Sequence, residues 1–297
     1  LTVEELELRA KRTAIDHVLT SKRVLLNWPV TRVNESYKKI LDLYTELNDN
    51  LNHKRAVPPA AEWLLDNFYI IEEQVKGIRA DMSKKSYYKL PVLRRGPFKG
   101  YTRVFAIAME FTESVDGQID ESTLLRYLEA YQSHTILFDR EIRMIPMMLR
   151  IALIESTRSL CENIKETQIM WNKANDIVDK WWSDDISDPE KIVKLFKNTI
   201  ESIDEVNPSF IEHLFYRLRR SGRSYSSVLR YIDDHLESLG TDTERVAQVE
   251  HNRQAVSTVS MGNYIMSFRY ITSVNWSRLF DTLSFVEKIL DEDPMGH

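Results

Sequence analysis

Apolar side chains recur every three or four positions along most of this chain, the spacing that puts them on one face of a helix. The first such stretch covers residues 4–19. The second, 34–51, carries Tyr37, Ile40, Leu41, Tyr44 and Leu47 on one stripe. Pro58 and Pro59 suit the first turn of a third helix, where the missing amide proton would have no partner anyway. Its stripe is Leu64, Phe68, Ile71, Val75 and Ile78. Residues 84–100 are the least regular, broken by Pro91, Gly96, Pro97 and Gly100. Helical spacing resumes over 101–114 and 122–133. It then continues from 138 to 182, with Pro146 as the expected kink or break. Ser187-Asp188-Pro189-Glu190 and Asn207-Pro208 are cap-plus-proline helix starts. A helix over 224–239 ends at Gly240. Thr241-Asp242-Thr243-Glu244 has capping-box spacing and opens a long helix to residue 272. Asn275 caps the last, over 276–290. No two segments alternate as paired strands do, and no strict repeat is present. The pattern predicts an all-α fold, a multi-helix antiparallel bundle or stacked helical hairpins. One domain over residues 1–297 is expected, with a possible subdomain boundary near 183–188.

Composition agrees with long helices and short links. Only 8 of the 297 residues are glycine, and a nucleotide-binding α/β sheet needs more of them for its turns and phosphate loops. Hydrophobic residues make up 43%, enough for a sizeable core. The net charge of −5 does not suggest a nucleic-acid partner. The single cysteine, Cys161, excludes an internal disulfide and a paired-cysteine metal site. No apolar run approaches the roughly 20 residues of a membrane helix, and Arg150 interrupts the nearest one. No signal peptide is expected at the start. The first residue is Leu1 rather than Met, as in a piece of a longer protein.

Several clusters invite a chemical reading. Asp184, Asp185 and Asp188 form a DDxxD pattern, which in isoprenoid synthases holds Mg²⁺ against a diphosphate. Here Pro189 follows at once, and capping of the next helix accounts for the aspartates more simply. No Glu-x-x-His pair, P-loop or Gly-x-Ser-x-Gly elbow occurs, and no cofactor is expected. Between positions 82 and 109 there are seven Lys or Arg residues and no acid, with tyrosines interleaved. Positions 213–232 carry five arginines, again without an acid. The default reading of both is solvated surface. The functional reading is an anionic or sugar-bearing partner. It makes candidates of Lys84, Lys85, Tyr87, Tyr88, Lys89, Arg94, Arg95, Arg103, Arg217, Arg219 and Arg220. Trp181-Trp182 reads as packing at a helix end. Glu72 and Lys76 form an i,i+4 pair. Arg150, Glu155 and Arg158 sit in a helix that is apolar on nearly all sides, so any of them that is buried must be paired.

Three blocks resemble the soluble N-terminal region of bacterial cyclic β-1,2-glucan synthases. The first is residues 58–81 followed by Tyr87-Tyr88-Lys89-Leu90-Pro91. The second is IPMMLRIALIESTRSL at 145–160. The third is residues 249–294, from VEHNRQAVSTVS to the final KILDEDP. The likeness spans residues 34–294, with residues 138–144 departing from the family form. It implies a very large inner-membrane enzyme that uses UDP-glucose to make linear β-1,2-glucan and closes it into rings. In that family the transferase follows this region, and its acidic and Q-x-x-R-W motifs are not in these residues. No family catalytic residue therefore carries over. The resemblance implies a non-catalytic helical accessory domain on the cytoplasmic face of the inner membrane. Its partners would be the transferase and membrane domains of the same polypeptide. A glucan- or nucleotide-sugar-binding module is the alternative, with β-glucan or anionic lipid headgroups as ligands. A Mg²⁺-dependent isoprenoid-type enzyme is a remote one.

Overall fold

The computed structural model describes residues 2–20, 27–183, 191, 193, 194, 197, 207–220 and 226–284. Among them there are twelve helices and no strand. In chain order these are α1 (Val3–Asp16), α2 (Pro29–Asn52), α3 (Pro59–Asp81), α4 (Lys84–Tyr87), α5 (Arg103–Ser114) and α6 (Glu121–Gln132). They continue with α7 (Asp139–Ile142), α8 (Ile145–Ser183), α9 (Pro208–Arg220), α10 (Ser226–Ser238), α11 (Thr243–Ser273) and α12 (Trp276–Leu283). The all-α expectation holds. The Asp184–Asp188 cluster, the cap at Ser187, the boundary near 183–188 and residues 285–290 of the last helix lie outside the described residues.

Helix ends show where local chemistry was legible. Thr2 accepts from the Glu5 amide at 3.2 Å while Glu5 accepts from the Thr2 amide at 2.8 Å, a reciprocal capping box. Thr102 and Asp120 cap α5 and α6. Asn207 accepts from the Ser209 and Phe210 amides, as its Asn-Pro step predicts. Three details differ from expectation. Helix α2 begins at Pro29, because proline at the first position lets the stripe extend back through the buried Val33. The long helical pattern breaks before Pro146, which sits in the first turn of α8 instead of kinking its middle. At α11, Asp242 caps instead of Thr241, with its carboxylate 2.8 Å from the Arg245 amide. Asn275 makes no side-chain cap bond.

The chain divides into two compact units. Unit 1 takes Leu1–Asn48, Trp63–Cys161 and Ser260–His297. All five apolar positions read from the α3 stripe are buried here, alongside Ile151 to Ile154 of α8 and Phe268 of α11. Each such side chain contributes about 1.5–3 kcal/mol on leaving water. Helix α1 packs on α6 and α5. Between α5 and α6, Asp116 and Gly117 turn the chain with positive φ. Arg150, half-buried in α8, donates to the side chain and backbone of Gln74 at 2.7 and 3.2 Å and faces Asp81. Gly77 leaves the room for that guanidinium, which lies 2.3 Å from where a Cβ would stand.

Unit 2 takes Asp49–Glu62 and Glu162–Val259. Its core joins Ala174, Val178 and Trp181 of α8 to Phe210, Ile211, Leu214 and Leu218 of α9 and to Val228, Ile232 and Leu236 of α10. Trp181 is only 1% exposed, so it packs the helix end as expected. His213 is buried beside this core, and its Nε2 lies 3.0 Å from Asn175 Oδ1. That oxygen also accepts from Arg217, so Nε2 of the imidazole carries a proton and donates to it. Burial, reinforced by the Arg217 charge, pushes His213 down to about 4. In the unfolded chain it titrates near 6.5, so the unfolded state takes up the proton first. Stability from this site is therefore complete above about pH 6.5 and is lost as pH falls towards 4, by up to about 3 kcal/mol. His213→Gln should melt with a shallower loss between pH 7 and pH 4.5 than the parent. Parallel curves would remove His213 as the cause.

Candidate functional site

Unit 1 contains a polar cavity of about 520 Å³, lined by one face of α2, part of α8 and Tyr101. Trp28, Thr31, Arg32, Glu35, Ser36 and Lys39 recur at helical spacing along that face. Across from them stand Glu155 and Arg158 of α8, one helical turn apart. Glu155 is 3% exposed and fully engaged: Arg32 Nε donates to one oxygen, and Ser36 Oγ donates to the other at 2.6 Å. Burial works against the Arg32 charge, but the bond to Glu155, its charge and the Tyr101 hydroxyl outweigh it and hold the guanidinium above its ordinary value. The two side chains thus form an ion pair between α2 and α8. It braces the cavity floor, and Thr31, Glu35, Lys39 and Arg158 also line the space.

Two aromatic rings flank the polar floor. Tyr101 stacks on Phe105 with centroids 4.4 Å apart. Its loop is pinned by backbone bonds from Leu93 to Tyr101 and from Asn27 to Gly100, each 3.0 Å. Trp28 meets Tyr87 edge-on at 5.5 Å and Tyr88 at 6.0 Å, and the Lys84 ammonium lies 5.6 Å from its ring centre. Three of the residues read from the sequence, Lys84, Tyr87 and Tyr88, therefore belong to the backing of Trp28 and not to the cavity wall.

The other candidates scatter. Tyr87 is fully buried, and burial pushes its hydroxyl up to about 12, so it packs and does not meet a ligand. Arg103 is a correction of the same kind. It is 1% exposed and forks onto Glu141, itself 0% exposed, so its charge is answered inside the core. Lys85, Lys89, Arg94 and Arg95 are exposed on the surface. Arg217 and Arg220 turn into a second pocket in unit 2, while Arg219 lies over Phe215. Sequence reading passed over Arg32, Glu35, Ser36, Lys39 and Trp28. Their periodicity was the signal, a polar stripe matching the charges embedded in the apolar run of α8.

No protein-family model matches the chain. Over 261 residues, 88% of this chain, it is 30% identical to cyclic β-(1,2)-glucan synthase NdvB of Rhizobium meliloti (strain 1021). This chain is related to a region of the cyclic β-(1,2)-glucan synthase family. It spans about 9% of the length of that synthase. The region is thus a small, helical part beside a much larger synthase sequence. Among the described residues, no helix is long and apolar enough to cross a membrane. Among them, too, no three His, Cys, Asp or Glu side chains gather as metal ligands would.

Proposed function

We propose that this region is a non-catalytic accessory module of a β-glucan synthase and holds a short stretch of glucan in the unit 1 cavity. The carrying observation is the make-up of that cavity. A glucan is neutral and rich in hydroxyls, so it asks for donors and acceptors of both signs and for an aromatic face. Arg32, Glu35, Lys39 and Arg158 supply the first, and Trp28 and Tyr101 the second. A volume of about 520 Å³ suits two or three sugar rings. In this reading the module sits at the cytoplasmic face of the membrane, against the transferase and membrane domains of the same polypeptide. It steadies the growing chain, and the transferase makes the bonds.

Calorimetry with a β-1,2-linked glucose trimer to hexamer tests this. Binding in the parent should weaken about five- to tenfold in Trp28→Ala, the loss of one ring's contact. Lys85→Ala, on the surface outside the cavity, should bind like the parent. No heat at millimolar oligosaccharide, or equal affinity in Trp28→Ala, would end the proposal.

A further inference from the structure

The second pocket, in unit 2, has a different character. It has a volume of about 490 Å³, and among its lining residues four cations, Lys54, Arg55, Arg217 and Arg220, face a single carboxylate, Asp179. That carboxylate is engaged by Arg217 at 2.6 Å. Arg217 in turn is fixed by Asn175 at 2.7 Å. Arg220 donates to the Tyr216 hydroxyl at 2.5 Å. Among the described residues neither Lys54 nor Arg55 has a carboxylate partner. Trp171, His213 and Tyr216 form a continuous stack beside the charges, with centroids 4.4 and 5.7 Å apart.

Lys54 occupies an unusual backbone position. It follows the end of α2 with φ of 57°, where its amide bonds Leu51 and the Arg55 amide bonds Asn50, both at 2.9 Å. This closing turn ordinarily takes glycine, because a side chain is strained there. The turn brings Lys54 and Arg55 into the lining of the same pocket as the α9 residues Arg217 and Arg220.

We propose that this pocket binds a phosphate-bearing anion, a diphosphate or phosphodiester group. Planar Arg forks and a lysine point charge are the side chains that recognise phosphate oxygens. The space exceeds one phosphate, so the ligand carries a further group against the Tyr216 edge of the stack. A neutral glucan would leave this excess positive charge unanswered, so the site is separate from the unit 1 cavity and stands or falls apart from the glucan reading.

The test uses the full chain in low salt. Calorimetry with inorganic pyrophosphate should show binding at or below about 1 mM. Arg220→Gln and Lys54→Gly should each weaken it about tenfold, the effect of losing one charge-assisted bond. Lys54→Gly should also melt at a higher temperature, because it relieves the strained turn, so its weaker binding cannot come from unfolding. Sedimentation with phosphatidylglycerol vesicles, against phosphatidylcholine, separates the sources. Lipid binding without pyrophosphate binding, lost in both variants, assigns the phosphodiester to a headgroup. Pyrophosphate binding alone assigns it to a soluble ligand. Binding to neither, or variants that bind like the parent, would overturn the proposal.

Discussion

Replacing Arg103 with methionine should destabilise this protein by about 3–5 kcal/mol, a large part of the stability of an ordinary domain. Arg103 and Glu141 are both all but excluded from water. Arg103 Nε donates to one Glu141 oxygen at 2.9 Å, and its Nη2 donates to the other and to the Ile136 carbonyl at 3.1 Å. Glu141 also accepts from the Phe138 amide at 3.0 Å, so the pair ties α5 to the start of α7. Removing only the guanidinium strands a carboxylate in the core and takes a donor from the Ile136 carbonyl. The cost is that of an unpaired buried charge, not of one lost contact. Replacing both, Arg103→Met with Glu141→Leu, should therefore recover much of the loss, since a hydrophobic pair of similar volume is often neutral. The recovery stays partial, because Ile136 and Phe138 still lose their partners. Urea midpoints of the single and double variants check this. A double variant as unstable as Arg103→Met would mean that the bonds to backbone, and not the ion pair, carry the effect.

Helices were legible in this sequence because burial is periodic and strong. Leu64, Phe68, Ile71, Val75 and Ile78 all lie inside, as their spacing requires. The candidate site was not legible, for a reason of the same kind in reverse. A polar stripe such as Arg32, Ser36 and Lys39 reads as a solvated helix face until the partner across from it is known. That partner, Glu155, lies 119 residues beyond Ser36. Its burial could be inferred from the apolar run around it, but its partner could not. The basic segments failed in the same way. Charge density locates cations along the chain but not their burial, so Arg103 looked like Arg94 and Arg95. Only the fold separates the core-paired cation from the exposed ones. Lys54 and Arg55 were missed because a helix-closing turn usually announces itself by glycine, and here a lysine holds the position.

The other large effect is expected at Gly117. Gly117→Val should cost about 2–5 kcal/mol, from a strained backbone and an overfilled site together. Its φ of 67° lies where a β-branched residue is least tolerated. A Cβ there would stand 2.2 Å from the ring of Tyr264, which is itself buried on α11. The turn is also held on both sides. Gly117 donates to Thr112 at 2.8 Å, and its carbonyl accepts from Ser267 at 2.6 Å. Asp116 accepts from Ser260 at 2.8 and 2.9 Å, and its carbonyl accepts from Asn263 at 3.2 Å. The α5–α6 connection is thus buttoned to one face of α11, and any shift that admits a side chain must break several of these bonds. Gly117→Val combined with Tyr264→Ala separates the two costs. Removing the ring relieves the clash but not the positive φ, so the pair should be more stable than the sum of the single losses predicts. Additive losses in a thermal or urea melt would show that backbone strain alone governs this turn.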